Sequence, residues 1–132
     1  MKVVLCHGVF DLLHFGHIEH LRKAKLFGDR LVVSVVADRF VSKRRPIYNQ
    51  DERLELLRAL RCVDEALLCS ARGPEDIIRE IQPDVYVRGA DYVGRVMPES
   101  ALLEKLNIPT RFTTSCPPRT AEVIERIHRR KK

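Results

Sequence analysis

The chain has 132 residues, of which 45% are apolar and 32% charged, and its formal net charge is +6. This size and composition suit one hydrophobic core, and we expect a single domain over residues 1–127 followed by a basic tail at 128–132. The positive charge alone would suit a nucleic-acid-binding protein. However, aromatic residues make up only 6% of the chain and form no platform with the basic residues, so we expect no nucleic acid among its partners.

The sequence shows no export or membrane segment. The apolar start, Lys2–Cys6, is too short for a secretory signal, and no later apolar run approaches the length of a membrane span. These features predict a cytoplasmic protein with no membrane partner. The four cysteines form neither a C-x-x-C pair nor a zinc-binding spacing, and we expect free thiols at Cys6, Cys62, Cys69 and Cys116.

Short apolar runs alternate with segments of helical spacing along the chain. The runs have the length of buried strands and cover residues 2–6, 31–36, 66–69 and 85–87. Apolar residues recur at helical spacing within residues 18–24, 54–60, 77–81 and 123–127. This order predicts an α/β fold, namely a Rossmann-like open parallel sheet of about five strands with helices on both faces.

Three of these helices carry further signals. Asn49 and Glu52 have the form of a capping box, and Pro74 is expected at a first helical position. The last helix is expected to begin after Pro117 and Pro118. Its apolar residues are predicted to face inward, and they are Val123, Ile124 and Ile127.

Residues 8–17, G-V-F-D-L-L-H-F-G-H, lie between the first strand and the first helix. A helix N-terminus presents unpaired N–H groups and the positive end of its dipole, so a ligand bound there should be anionic. Gly8 and Gly16 allow the backbone to approach that ligand closely. His14 and His17 add imidazole donors at the same end. The segment therefore predicts a phosphate-binding turn.

Ligands of an open parallel sheet bind at the carboxyl ends of its strands, where the strand order reverses. The loops after the predicted strands should therefore collect the functional side chains. These are Asp11, His14, His17, Asp38, Lys43, Arg44, Arg45, Arg88, Asp91 and Tyr92, joined before the last helix by Arg119 and Thr120.

The segment 8–17 resembles the G-x-F-D-x-x-H-x-G-H signature of the cytidylyltransferase-like nucleotidylyltransferases. This family includes glycerol-3-phosphate cytidylyltransferases and heptose-1-phosphate adenylyltransferases. The resemblance continues through residues 28–41, 44–53 and 84–92. It implies attack by a phosphate oxygen of one substrate on the α-phosphorus of a nucleoside triphosphate, with release of pyrophosphate. It also implies Mg²⁺ as cofactor and a homodimer.

The resemblance assigns roles to individual residues. It implies catalytic roles for His14, His17, Lys43 and Arg44. Nucleotide binding is implied for Gly8, Val9, Phe10, Asp11, Gly16, Arg88, Gly89, Asp91, Tyr92, Arg119 and Thr120. Contact with the phosphorylated acceptor is implied for Asp38 and Arg53. No metal ligand is assigned to a protein side chain.

Some readings stay open at this point. Asp11 either fixes the turn or binds a metal, and His7 either reaches the ligand or bonds to the backbone. His20 is expected at the surface, although its spacing from His14 and His17 would also allow a zinc site. The basic loop at 43–45 could be an ordinary solvated charge run.

The C-terminal motif and the substrates leave further alternatives. Where the family shows R-T-x-G-x-S-[ST], this chain reads T-S-C-P-P-R-T, which keeps a non-catalytic nucleotide-binding protein as an alternative. The chain length favours CTP and glycerol 3-phosphate. The segment V-R-G-A-D-Y at 87–92 favours the alternative, an ATP-dependent adenylyltransferase acting on a sugar phosphate.

Overall fold

The computed structural model describes residues 1–42, 44–114 and 118–130. Its strands are β1 (Val3–Gly8), β2 (Arg30–Val36), β3 (Glu65–Cys69), β4 (Val85–Arg88) and β5 (Thr110–Phe112). Its α-helices are α1 (Phe15–Lys25), α2 (Gln50–Arg58), α3 (Glu75–Ile81), α4 (Ser100–Lys105) and α5 (Thr120–Arg130). The strands form one parallel sheet in the order β3-β2-β1-β4-β5. The predicted α/β fold is confirmed.

The core lies on both faces of this sheet because successive strand residues point to opposite sides. On one face, Val4 packs with Leu21 of α1 and Leu57 of α2. On the other face, Leu5 packs in a cluster that includes Ile78 of α3 and Leu103 of α4. Full burial of each such side chain stabilises the fold by roughly 1.5–3 kcal/mol. The two layers hold the strand ends, and hence the loops beyond them, in fixed positions.

The prediction that α5 turns its apolar residues inward is wrong for Ile127, whereas Val123 and Ile124 are half-buried. None of its described side chains is buried, and Ile127 is 50% exposed. The physical reason is that α1 to α4 already cover both faces of the sheet, so α5 belongs to neither core cluster. Only its first residues reach the part of the molecule where the strands end.

Local signals were accurate to within one residue. Asn49 and Glu52 form the predicted capping box at the start of α2. Pro74 lies one position before the predicted place, at the N-cap, because its carbonyl accepts the first helical bond from Ile78. The strand β5 and the helix α4 were not predicted, since three and six residues are too short for a clear periodic pattern.

None of the helices in residues 1–42, 44–114 and 118–130 combines the length and the apolar composition that a membrane span requires. Cys6, Cys62 and Cys69 are free thiols, as predicted, and Cys116 lies outside the described residues.

Candidate active site

A cleft of about 1000 Å³ lies at the carboxyl ends of β1 and β4, where the strand order reverses. A crevice at this position is the usual ligand site of an open parallel sheet. All described residues that were predicted to be catalytic or nucleotide-binding line it. They are Gly8, Val9, Phe10, Asp11, His14, Gly16, His17, Arg44, Arg88, Gly89, Asp91, Tyr92, Arg119 and Thr120. Lys43 lies outside the described residues.

The turn between β1 and α1 is strained. Phe10 and Leu12 have positive φ angles of 55° and 48°, a region that side chains with a Cβ rarely adopt. Tertiary contacts keep the turn in this conformation. Phe10 is 7% exposed in the core, and Arg53 donates a hydrogen bond to the Val9 carbonyl at 2.9 Å. Strain of this kind collects at functional sites.

His14 and His17 cap the first turn of α1. The Nδ1 atom of His14 accepts from the Gly16 N–H at 3.1 Å, and Nδ1 of His17 accepts from the His14 N–H at 3.2 Å. This is a reciprocal capping box made of two imidazoles. The ring centroids are 3.9 Å apart, and Phe10 packs edge-on against His17. Because both rings also line the cleft, the same side chains can cap the helix and contact a ligand.

The capping bonds decide where each imidazole carries its proton. Since both Nδ1 atoms accept hydrogen bonds from backbone N–H groups, the neutral rings carry their proton on Nε2. Burial, followed by the neighbouring His14 and His20, lowers the pKa of His17 to about 3. Burial also lowers the pKa of His14, with the Glu122 carboxylate opposing it. At neutral pH the site therefore presents two uncharged rings, each with one Nε2–H donor.

The start of α5 contacts His14 of this pair. The Oγ1 atom of Thr120 lies 3.1 Å from Nε2 of His14. Arg119, immediately before the helix, lines the cleft with an exposed side chain. The helix N-terminus adds unpaired N–H groups and the positive end of its dipole. Imidazole, hydroxyl and guanidinium donors therefore lie in one part of the cleft, where the Glu122 carboxylate pairs with Arg119 at 3.6 Å.

Asp11 holds the loop that follows β2. Its two carboxylate oxygens accept from the N–H groups of Ile47 and Tyr48 at 2.8 and 2.9 Å, and the residue is 6% exposed. This geometry agrees with the interpretation that Asp11 fixes the backbone. The same loop carries Arg44, which lines the cleft. Asp11 therefore connects the histidine turn to the basic loop.

Across residues 1–42, 44–114 and 118–130, no group of three or more His, Cys, Asp or Glu side chains could hold a metal ion. The zinc interpretation of His14, His17 and His20 thus gains no support. The Nδ1 atoms of the first two rings are already engaged with the backbone.

Arg53 faces the interior and not the cleft. Its fully buried guanidinium donates to the carbonyls of Tyr48, Val9 and Val36 and to the Asp38 carboxylate, at 2.6–3.1 Å. The second Asp38 oxygen accepts from the backbone N–H at the start of α2. Neither side chain is among those that line the cleft, and both hold the fold, so their contact with the acceptor stays a prediction. Together they hold the turn after β1 against the loop after β2.

His20 lines the cleft, which corrects the expectation of a surface residue. Its Nδ1 atom lies 2.8 Å from Oγ1 of Thr113, next to β5. Burial, followed by the charge of Arg88, lowers the pKa of His20 to about 4. His20 follows His17 by three residues and therefore lies on the same face of α1. This spacing could have predicted from the sequence that His20 lines the cleft. Thr113, which contacts His20, was missed because β5 was not predicted.

His7 and Arg88 meet where β1 borders β4. The His7 Nδ1 atom lies 3.0 Å from Oγ of Ser34, so its ring bonds a side chain of β2 while it also lines the cleft. Burial, followed by the Arg88 charge, lowers the pKa of His7 to about 4. Arg88 donates to the His7 carbonyl at 3.1 Å and stacks on the Tyr92 ring, with Cζ 3.9 Å from its centroid. The positive charge of Arg88 therefore lies beside the histidine side chains of the cleft.

A model of the cytidylyltransferase-like family matches residues 5–109, more than half of the chain. The chain belongs to this family. It is thereby a nucleotidyltransferase, as its histidine turn predicted. The match ends before β5 and α5.

Curated proteins of similar sequence are consistent with this family assignment. The bifunctional protein HldE of Wolinella succinogenes is 38% identical over 111 residues, covering 81% of this chain and 23% of that protein. HldE of Aliarcobacter butzleri is 34% identical over 135 residues, covering 99% and 28%. The chain thus spans about a quarter of the length of these curated relatives.

Solved structures give the same fold. A lipopolysaccharide core biosynthesis protein from Thermoplasma volcanium superposes with a TM-score of 0.74 at 32% identity, covering 90% of this chain and 99% of that one. Pantothenate synthetase from Thermus thermophilus shares the fold alone, with a TM-score of 0.56 at 17% identity over 86% of this chain and 55% of that one.

Proposed function

We propose that this chain transfers the adenylyl group of ATP to the phosphate of a sugar phosphate and releases pyrophosphate. One observation carries the proposal. The imidazoles of His14 and His17 are held as Nε2–H donors by the first turn of α1, and the His14 ring contacts the Thr120 hydroxyl at the start of α5. These donors suit the phosphate chain of a nucleotide.

The reaction is a direct displacement. An oxygen of the acceptor phosphate attacks the α-phosphorus, and the bond from that phosphorus to the bridging oxygen of pyrophosphate breaks. A phosphate monoester has its second pKa near 6, so the attacking oxygen is already deprotonated at neutral pH. The histidines also have no spare basic nitrogen, because each Nδ1 accepts a backbone hydrogen bond. Their role is to donate to charge that develops on the phosphate oxygens.

Two anionic substrates must be held together against their repulsion, so positive charge and positioning are the main contributions of the protein. Arg44, Arg88 and Arg119 line the cleft. Lys43 remains a prediction for the same role. Nucleotidyltransferases generally use a divalent cation. Because no group of three or more His, Cys, Asp or Glu side chains in the described part of the chain could hold a metal ion, Mg²⁺ would be held mainly by the triphosphate oxygens and would offset their charge.

The relatives favour ATP and a sugar phosphate over CTP and glycerol 3-phosphate. The HldE relatives point to the heptose-1-phosphate adenylyltransferase branch of the family. The protein from Thermoplasma volcanium is named for lipopolysaccharide core biosynthesis, and the segment 87–92 supports the same branch. The homodimer stays a prediction of the resemblance, to be tested by light scattering.

Pyrophosphate release tests the proposal. The protein is incubated with Mg²⁺, each of the four nucleoside triphosphates, and a panel of sugar 1-phosphates and polyol phosphates. We expect the fastest release with ATP and a sugar 1-phosphate. Faster release with CTP and glycerol 3-phosphate would return the assignment to the cytidylyltransferase branch. Nucleotide binding without release in any combination would indicate a non-catalytic nucleotide-binding protein.

A further inference from the structure

A polar network lies on one face of the sheet, next to the cleft. Tyr86 and Arg88 are two residues apart on β4 and therefore share a face. Arg88 donates through Nη1 to the Tyr86 hydroxyl at 3.3 Å, and that hydroxyl donates to Oε2 of Glu99 at 2.7 Å. Oε2 also lies 4.0 Å from Nη1 of Arg88. The three side chains form one connected network.

The network is buried on the side away from the cleft. Tyr86 is fully buried and Glu99 is 4% exposed. Burial raises the pKa of Tyr86, so the phenol keeps its proton and can donate. A buried carboxylate is costly unless it is paired and hydrogen-bonded. The Tyr86 hydroxyl and Arg88 supply such contacts to Glu99, while the Tyr86 ring packs among apolar side chains such as Leu5 and Ile78.

The Arg88 guanidinium, which belongs to a cleft-lining residue, has donors that the network does not use. Its Nη1 atom is committed to the His7 carbonyl and the Tyr86 hydroxyl, and its plane is stacked on the Tyr92 ring. Within the described residues, Nε and Nη2 of Arg88 donate no hydrogen bond. Neither nitrogen is a buried atom left without a partner, so both are accessible to a ligand. Arg88 is one of the residues that line the cleft, so this edge is available to a ligand there. A guanidinium edge with two free donors matches two oxygens of a phosphate.

We propose that Tyr86 and Glu99 are positioning residues that hold Arg88 so that its Nε and Nη2 edge binds a substrate phosphate. The phosphate belongs either to the nucleotide or to the sugar phosphate. The binding role rests on the proposed function, whereas the positioning role does not. Tyr86 and Glu99 both lie outside the histidine turn, and both act only through Arg88.

Positioning is tested first without any ligand. In ¹⁵N-labelled protein, a held guanidinium gives separate signals for its Nη groups because rotation about its bonds is slow. We expect such signals for Arg88, assigned by their loss in Arg88→Lys. They should merge in Glu99→Gln and in the isosteric Tyr86→Phe, and persist in the control Glu104→Gln on the exposed side of α4. Freely rotating Arg88 in the wild-type protein would overturn the proposal, whatever reaction the chain catalyses.

Steady-state kinetics then identify the phosphate. Glu99→Gln should raise the KM of one substrate about tenfold, equivalent to about 1.4 kcal/mol, while kcat changes less than about twofold. A change in the KM of ATP assigns the nucleotide phosphate, and a change in the KM of the sugar phosphate assigns the acceptor. Arg88→Met should raise the same KM further, and Glu99→Gln should add nothing in the Arg88→Met background. The proposal would be contradicted if the effects of Glu99→Gln and Arg88→Met on KM were additive. It would also be contradicted if Glu99→Gln lowered Tm and left both KM values unchanged.

Discussion

Nε2 of His14 and Oγ1 of Thr120 lie 3.1 Å apart, although 106 positions separate them in the chain. The contact joins the turn after β1 to the first residue of α5. Thr120 is the hydroxyl that survives in the altered C-terminal motif. Its position beside His14 explains how a chain without the family's usual glycine and serine there can still offer a hydroxyl to the phosphates.

Replacing either histidine of the capping box should abolish most turnover. We expect His14→Ala and His17→Ala each to lower kcat by about 100-fold or more, because one preorganised donor to the transition state contributes about 3 kcal/mol. Nucleotide affinity should change less. His128→Ala, at the exposed end of α5, serves as the control and should retain full activity. Near-normal turnover of both cleft variants, with circular dichroism unchanged, would show that the reaction centre lies elsewhere.

The Thr120 hydroxyl should contribute separately from the backbone of α5. Thr120→Val keeps the shape of the side chain but removes its hydroxyl, and we expect kcat/KM for the nucleoside triphosphate to fall about tenfold. Thr120→Ser should recover most of this loss. Equal activity of the valine and serine variants would mean that the hydroxyl does not contact the phosphates.

The buried histidines should make the fold sensitive to acid. Burial holds the pKa of His17 at about 3 and that of His7 and His20 at about 4, below the unfolded value of about 6.5. Between these values the unfolded chain binds protons that the folded chain excludes. The free energy of unfolding should therefore be unaffected by these groups above about pH 6.5 and fall below it, by up to about 1.4 kcal/mol per pH unit for each histidine.

Urea denaturation at pH 7 and pH 5 measures this effect. His20→Gln should lose less stability over that interval than the wild-type protein, because one of the three histidines no longer titrates. The same loss in both proteins would contradict the burial of His20 in its neutral form.

We expect Arg53 to contribute mainly to the stability of the fold and less to the reaction. Arg53→Met leaves three carbonyls and Asp38 without their donor, and we expect a loss of about 3–5 kcal/mol in the free energy of unfolding. Arg79→Met, which removes only an exposed ion pair with Asp76, should change stability by less than about 0.5 kcal/mol. Chemical denaturation compares the two. A stable Arg53→Met protein with a raised acceptor KM would favour the original prediction of an acceptor contact.

The sequence was most informative where function depends on short-range spacing. His14 and His17 are three residues apart at a helix start, so their joint position followed from helix geometry and one glycine turn. Arg88 and Tyr92 could be placed because loops after parallel strands share one edge of the sheet. Their arrival at the same cleft is a consequence of strand order, which the alternation of strands and helices already indicated.

Residues whose roles depend on distant contacts were harder to predict. Arg53 looks like an exposed helical arginine until the carbonyls of Val9 and Val36 surround it. The same holds for Glu99, whose partner Tyr86 comes from a strand and whose own helix is too short to show a pattern. The exposure of Ile127 in α5 was not predicted, because spacing shows that a helix is amphipathic but not whether a sheet face is free to receive it.

The transfer of label from the acceptor tests direct displacement. A sugar phosphate with oxygen-18 in its non-bridging phosphate oxygens is converted with the nucleoside triphosphate that gives the fastest release, and both products are analysed by mass spectrometry. We predict one nucleoside diphosphate sugar for each pyrophosphate, with all of the label in the sugar nucleotide and none in the pyrophosphate. Label in the pyrophosphate, or pyrophosphate formed without a sugar nucleotide, would contradict attack by the acceptor phosphate on the α-phosphorus.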